Sequence, residues 1–128
     1  MESVLGIGGF FFRARDPDGL GHWYETTLGV PRPPATYDDP DWQQAAGPTV
    51  WGAVGQEDPM LSASTPWMIT FRVRDLDAMV AQLQGSGISV EVDPEHYPNG
   101  RFASLADPEG NSIQLWQVMM HEDTAASR

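Results

Sequence analysis

Paired arginines occur in two similar segments of the sequence. The first is Phe12-Arg13-Ala14-Arg15-Asp16, and the second, at an offset of 59 residues, is Phe71-Arg72-Val73-Arg74-Asp75. A guanidinium group donates two parallel hydrogen bonds to a carboxylate or a phosphate, so these arginines are candidates for binding an anionic group of a ligand. In so acidic a chain they could equally pair with neighbouring carboxylates. Both interpretations of the arginines stay open.

The three histidines are weaker candidates for chemistry. His22 falls on the exposed flank of a predicted helix, and His121 falls in the C-terminal tail. His96 belongs to a loop, residues 93–100, that could overhang a bound ligand, although turn formation explains the same composition. The sequence contains no Ser-His-Asp spacing, phosphate-binding loop or His-x-x-x-His pair.

Composition excludes several classes of function. The 128 residues include 18 acidic and 7 basic side chains, for a net charge of −11, with no cysteine and no lysine. Schiff-base chemistry, thiolate nucleophiles and cysteine-bound metals are therefore ruled out. The acidic field disfavours nucleic acid and anionic membranes as partners. With no apolar run of about 20 residues and no basic leader, we expect a cytoplasmic protein.

The repeated segments organise the predicted secondary structure. Each one ends an apolar run and precedes a helix, the first opening at Asp16-Pro17 and closing at Gly29, the second opening at Asp75 and closing at Gly85 and Gly87. The predicted strands are Thr49–Val54 in the first half and Ile88–Val92, Arg101–Ala106 and Ser112–Val118 in the second, the last two joined by a turn at Asp107–Asn111.

This pattern predicts an α+β fold made of two βαβββ modules. We expect the modules at residues 5–55 and 65–118 of one domain spanning residues 1–128, with a flexible tail at residues 119–128. Two such units bury their sheets best as one curved, cup-shaped mixed sheet with the helices outside. The inside of the cup would be a cavity for a ligand.

Three motifs resemble the vicinal oxygen chelate superfamily, which includes glyoxalase I, bleomycin-resistance proteins and extradiol dioxygenases. The resemblance extends from about Leu5 to Gln117. It implies the paired βαβββ modules, a homodimer, and a ligand or metal bound inside the cup. The motifs that carry it are residues 8–16, the helix residues Trp23-Tyr24 and Leu28-Gly29-Val30, and residues 107–116.

The resemblance also implies where a metal would bind. Its metal-binding members use His, Gln or Glu at four strand positions, which correspond here to Gly9, Trp51, Met68 and Gln114. A thioether and a neutral amide are poor ligands for zinc, nickel or iron. We therefore expect no metal and no cofactor.

The same resemblance, with the alternation of side chains along a strand, places a set of residues inside the cup. In glyoxalase I-like members an arginine four residues after the first ligand position contacts a substrate carboxylate, and Arg13 and Arg72 occupy that offset. Trp51 and Trp116 could serve as stacking surfaces or as ordinary core residues. The predicted ligand-binding residues are Phe11, Arg13, Trp51, Met68, Thr70, Arg72, Gln114 and Trp116.

Two functions follow, and whether the protein is an enzyme stays open. The first is a bleomycin-resistance-like protein that binds an aromatic or anionic small molecule in a metal-free cup, for sequestration or resistance. The alternative is an enzyme (a lyase, isomerase or dioxygenase) with a divergent or metal-independent site that uses Glu95, His96 or Tyr97. A third reading is a structural or regulatory dimer whose own side chains fill the cup.

Overall fold

A computed structural model of the chain describes residues 1–119. It contains two helices and one four-stranded mixed sheet. The expected tail falls almost entirely outside the described residues. The elements, in chain order, are α1 (Pro17–Leu28), β1 (Met68–Arg72), α2 (Leu76–Gly85), β2 (Glu91–Val92), β3 (Gly100–Ala106) and β4 (Ser112–Val118).

Both predicted helices are confirmed, with the predicted N-caps. The Asp16 carboxylate accepts a hydrogen bond from the Gly19 backbone N–H at 3.1 Å. The Asp75 carboxylate accepts one from the Ala78 N–H at 3.0 Å. Helix α1 ends at Gly29, whose φ of 74° is the left-handed conformation that glycine adopts without a steric penalty.

The sheet has the strand order β1-β4-β3-β2. Strand β1 runs parallel to β4, and β3 is antiparallel to both β4 and β2. The second half of the chain therefore shows the predicted βαβββ order. The strands predicted at Arg101–Ala106 and Ser112–Val118 are found, but the one predicted at Ile88–Val92 is reduced to β2.

The core lies between the two helices and one face of this sheet. Leu76 and Leu83 of α2 and Ile113 and Leu115 of β4 are its largest fully buried side chains. Helix α1 contributes Leu20 and Tyr24 to the same cluster. Burying each aliphatic side chain contributes roughly 1.5–3 kcal/mol, so this shared cluster is what holds the two halves together.

The turn between β3 and β4 is tied to α1 by buried polar groups. The Tyr24 hydroxyl and the Asn111 side-chain amide each donate to Asp107 Oδ2 at 2.7 Å. Burial and the neighbouring Asp107 raise the pKa of the Tyr24 phenol far above its usual range. The Glu109 carboxylate accepts from the Arg15 N–H at 2.7 Å, just before the helix begins. These contacts give Asp107, Glu109 and Asn111 of the turn each a structural role.

The first half of the chain differs from the prediction. Helix α1 is its one regular element, because residues 1–16 and 29–67 form no strand. The strand predicted at Thr49–Val54 is therefore wrong for this structure. Two physical reasons apply. Five prolines between residues 31 and 48 disfavour strands just before Thr49–Val54, and within residues 1–119 no strand edge pairs with that segment to satisfy its backbone groups.

Candidate functional site

One face of the sheet is covered by the helices, and the other, here named the open face, is not. The strand register assigns side chains to each face, because directly paired residues point to the same side. Ile69, Phe71, Ile113 and Leu115 belong to the core cluster or pack against it. Their neighbours along the strands form the open face, which consists of Met68, Thr70, Arg72, Glu91, Gly100, Phe102, Ser104, Ala106, Ser112, Gln114, Trp116 and Val118.

Two rows of side chains cross the open face. The polar row runs through Thr70, Gln114, Ser104 and Glu91, which are paired in register from β1 to β2. The aromatic row lies next to it and runs through Arg72, Trp116 and Phe102. The open face thus offers hydrogen-bonding groups beside aromatic rings.

Arg72 is half-buried at the edge of the open face. One of its terminal nitrogens, Nη2, donates to the Ala45 carbonyl at 2.7 Å. Within residues 1–119 three arginines form ion pairs with carboxylates, and Arg72 is not among them. Because a guanidinium has five N–H donors, most of its hydrogen-bonding capacity remains available. The Arg72 guanidinium is therefore a candidate to bind an anionic or electron-rich group of a ligand.

A groove of about 480 Å³ runs along β1 beside Arg72. Trp42 and Gln44 line it from the loop that follows α1, Thr70 and Arg72 from β1, and Met79 from α2. This volume lies in the range of small-molecule sites, about 300–1,000 Å³, and the lining is mixed, with the charged Arg72, Arg74 and Asp75 beside the apolar side chains.

Gln114 has a local partner in the polar row. The Thr70 hydroxyl donates to Gln114 Oε1 at 2.9 Å. The amide oxygen that a metal would use thus already accepts one hydrogen bond, and Met68 offers a thioether. Among the described residues no group of three or more His, Cys, Asp or Glu is placed to hold a metal ion. Gly9 and Trp51 carry no ligating side-chain atom, so the residues at the four metal positions do not fit a divalent metal.

Trp116 is buried, although it belongs to the open face. Its side chain is 6% exposed, and its indole Nε1 donates to the Asn99 carbonyl at 2.9 Å. Its ring stacks on Phe102 with a centroid distance of 6.0 Å and an interplanar angle of 9°. Phe102 is half-buried on the open face, and it was missed in the sequence analysis. Extending the pairing outward from the turn at residues 107–111 would have placed it opposite Trp116.

The loop with His96 lies beside the open face, where the Tyr97 ring packs against Phe102 with a centroid distance of 5.8 Å. Asp93 accepts hydrogen bonds from the Glu95 N–H at 3.0 Å and from the Tyr97 hydroxyl at 2.7 Å. These two bonds lower the pKa of Asp93, and the bond to Asp93 raises the pKa of Tyr97 to about 12. A tyrosine hydroxyl is neutral at physiological pH even at its usual pKa near 10. The Tyr97 hydroxyl donates its proton in the hydrogen bond to Asp93, which makes it a poor general base.

The predicted site residues separate into two groups. Met68, Thr70, Arg72, Gln114 and Trp116 share the open face. The three from the first half do not join them: the Phe11 side chain is 90% exposed, the Trp51 side chain is 82% exposed, and Arg13 is also exposed. Their role in ligand binding stays a prediction.

The comparison with known proteins agrees with this architecture. The family model described as a glyoxalase-like domain matches residues 9–116, which include both helices and nearly the whole sheet. The chain belongs to the glyoxalase-like domain family. This places it in the vicinal oxygen chelate superfamily, and the predicted fold class is confirmed.

Two curated relatives of this glyoxalase-like chain come from Streptomyces. The anthracycline biosynthesis protein DnrV of Streptomyces peucetius is 38% identical over 109 residues, covering 79% of this chain and 38% of that protein. The anthracycline biosynthesis protein DauV of Streptomyces sp. strain C5 is 35% identical over 127 residues, covering 92% of this chain and 44% of that protein. The chain thus spans less than half the length of these relatives.

Two solved structures share the fold along the length of the chain. TnmS3, an antibiotic binding protein from Streptomyces sp. CB03234, superposes with a TM-score of 0.60 and 23% identity, covering 93% of this chain and 100% of that one. A lactoylglutathione lyase from Agrobacterium tumefaciens gives a TM-score of 0.54 and 20% identity, with 91% and 96% covered. At these identities the likeness shows the fold alone. Neither described helix is long and apolar enough to cross a bilayer.

Proposed function

We propose that this glyoxalase-like protein binds a planar aromatic small molecule on the open face and sequesters it without a metal ion. The observation that carries the proposal is Arg72, a half-buried cation on that face with no carboxylate partner within residues 1–119. Leaving a partly buried charge without a counter-charge costs free energy, and a ligand with an anionic or carbonyl group would offset this cost.

The surroundings of Arg72 favour an aromatic ligand. The groove at the outer edge of β1 reaches towards α2 and includes Trp42 and Met79 in its lining, while Phe102 is half-buried on the open face. Aromatic rings and thioethers pack well against planar π-systems. The names of DnrV and DauV connect those relatives with anthracyclines, which are planar polycyclic compounds, and TnmS3 is described as an antibiotic binding protein.

We also propose that the working form is a homodimer. The outer edge of β1 has no paired strand within residues 1–119, and several apolar side chains of the first half, including Leu5, Phe11 and Trp51, are exposed. Residues 9–13 repeat the pattern of β1 in the sequence. A second copy that covers this edge would bury these side chains and bring residues of the first module to the open face.

The site of action that we propose is the cytoplasm. The chain contains no cysteine, so its stability does not depend on disulfides formed in an oxidising compartment. Sequestration there would protect the intracellular targets of a toxic aromatic compound.

The test of ligand binding is titration calorimetry against a panel of anthracycline aglycones. We expect micromolar binding by the unaltered protein and at least a tenfold loss in Arg72→Gln, because a hydrogen bond to a charged group contributes about 1.5–3 kcal/mol. Arg15→Gln is the matched control: it removes the same charge, but its side chain is exposed beside α1, away from the open face.

The proposal fails if no member of the panel binds below millimolar concentration, or if both variants bind as the unaltered protein does. Elemental analysis of the same preparation tests the metal-free state. Stoichiometric zinc, nickel or iron would contradict it.

A further inference from the structure

The polar row ends in a carboxylate at the outer edge of the sheet. Ile88, Val90 and Val92 pack against the core, so the alternation along this segment directs Glu91 to the open face. Glu91 is exposed and lies opposite Ser104 on β3. The polar row therefore presents a hydroxyl and a carboxylate side by side.

The two ends of the open face carry opposite charges. Arg72 lies on β1 at one edge, Glu91 lies on β2 at the other, and β4 and β3 run between them. Three strand spacings separate these edges, which is about 14 Å. Glu91, like Arg72, forms no ion pair with another side chain within residues 1–119. Both charges are thus available to a ligand that lies across the sheet.

We infer that Glu91 and Ser104 bind a protonated amine of the ligand, while Arg72 binds its anionic or carbonyl end. The ligand class is then an elongated aromatic compound with a basic amine at one end. This inference rests on the proposed function, since it names the part of the ligand that the far end of the open face would recognise. The cationic amine of such a ligand would be attracted by the net charge of −11, while its anionic or carbonyl end would bind the arginine in the site.

The expected contribution of Glu91 is modest and specific. An ammonium group can donate hydrogen bonds to both the carboxylate and the Ser104 hydroxyl. Because Glu91 is exposed, solvent screens the attraction, and we expect an affinity gain of about three- to fivefold. The gain should shrink as the ionic strength rises.

The experiment compares two probes with the same ring system: an anthracycline glycoside with a free amine and its N-acetylated, uncharged derivative. Their dissociation constants are measured by titration calorimetry for the unaltered protein, Glu91→Gln and Glu57→Gln. Glu57 is exposed in the segment between α1 and β1, so the control removes the same charge outside the sheet. Circular dichroism checks that all three proteins are folded.

We expect the unaltered protein and Glu57→Gln to prefer the free amine by about three- to fivefold, and Glu91→Gln to lose this preference. If both probes bind but Glu91→Gln keeps the preference, or if no preference exists, the inference about Glu91 is overturned while the proposed function stands. If neither probe binds and the aglycones do not bind either, the proposed function fails and the inference fails with it.

Discussion

Arg72 of β1 and Gln114 of β4 both belong to the open face, but their partners give them different roles. Gln114 accepts a hydrogen bond from Thr70, whereas Arg72 donates to a single carbonyl and has no counter-charge in the described chain. At the residue scale, this face therefore combines a cation that has free N–H donors with an amide whose oxygen already accepts a hydrogen bond. Such a face offers hydrogen-bond donors to the polar groups of a ligand.

The Asp93–Tyr97 bond leads to a prediction about ionisation. In Asp93→Asn the charge on the acceptor is lost, so we expect the pKa of Tyr97 to fall from about 12 towards its usual value near 10. Absorbance of the tyrosinate ion as a function of pH measures this shift. In Tyr97→Phe the step in the absorbance titration that belongs to Tyr97 should be missing, which identifies that step. An unchanged titration in Asp93→Asn would show that the bond is not formed in solution.

The same bond predicts the direction in which the stability of the fold changes with pH. The pKa of Tyr97 is raised in the folded state, so its contribution is complete below pH 10 and is lost as the pH rises towards about 12. The pKa of Asp93 is lowered, so its contribution is present above its unfolded value of about 3.9 and is lost as the pH falls through the folded value. The Asp93–Tyr97 bond thus stabilises its loop most between about pH 4 and about pH 10.

The helices and the β3–β4 hairpin were predictable because their signals are local. Asp16 and Asp75 are N-caps within three residues of the N–H groups that they satisfy. The turn at residues 107–111 fixes the register of the hairpin by its own hydrogen bonds. The buried position of Trp116 was harder to predict, because Asn99, which accepts from its indole, is 17 residues away in the chain.

Strand β3 requires a glycine at its first residue. Gly100 has a φ of 138°, and a Cβ added there would collide with the Gln117 carbonyl and the Trp116 indole nitrogen. We expect Gly100→Ala to lower the free energy of unfolding by more than about 1 kcal/mol, through strain and clash with β4. Urea unfolding followed by tryptophan fluorescence measures the loss.

Gly52→Ala is the control for this substitution. A Cβ at Gly52 would meet no atom within 4 Å, and the position lies in extended chain outside the sheet. Its midpoint in urea should match that of the unaltered protein. Equal midpoints for the two alanine variants would contradict the close packing of β3 against β4 at Gly100.

At the scale of the whole molecule, the two halves of the chain differ in how much helix and strand they contain. The second half builds a complete sheet with its core, while the first half supplies one helix and long exposed segments. DnrV and DauV are more than twice as long as the parts that this chain matches.

The homodimer proposal predicts a change in mass with one substitution. Sedimentation equilibrium should give the mass of two chains for the unaltered protein and the mass of one for Phe11→Asp, because a carboxylate cannot be buried unpaired in an interface. Ala81→Asp places the same charge on the exposed side of α2 and should leave the dimer intact. A monomeric unaltered protein at micromolar concentration would overturn the proposal.

The sequence by itself determined the two helices, their caps, the closing hairpin, the alternation of faces and the family, because each depends on neighbours within a few residues or on a repeated motif. Only the tertiary structure decided that Trp116 is packed, that Phe102, Ser104 and Glu91 share the open face with Arg72, and that the first half forms no strand. These features depend on which strands lie side by side. A strand exists only when another edge satisfies its backbone groups, and no local pattern states which edge that will be.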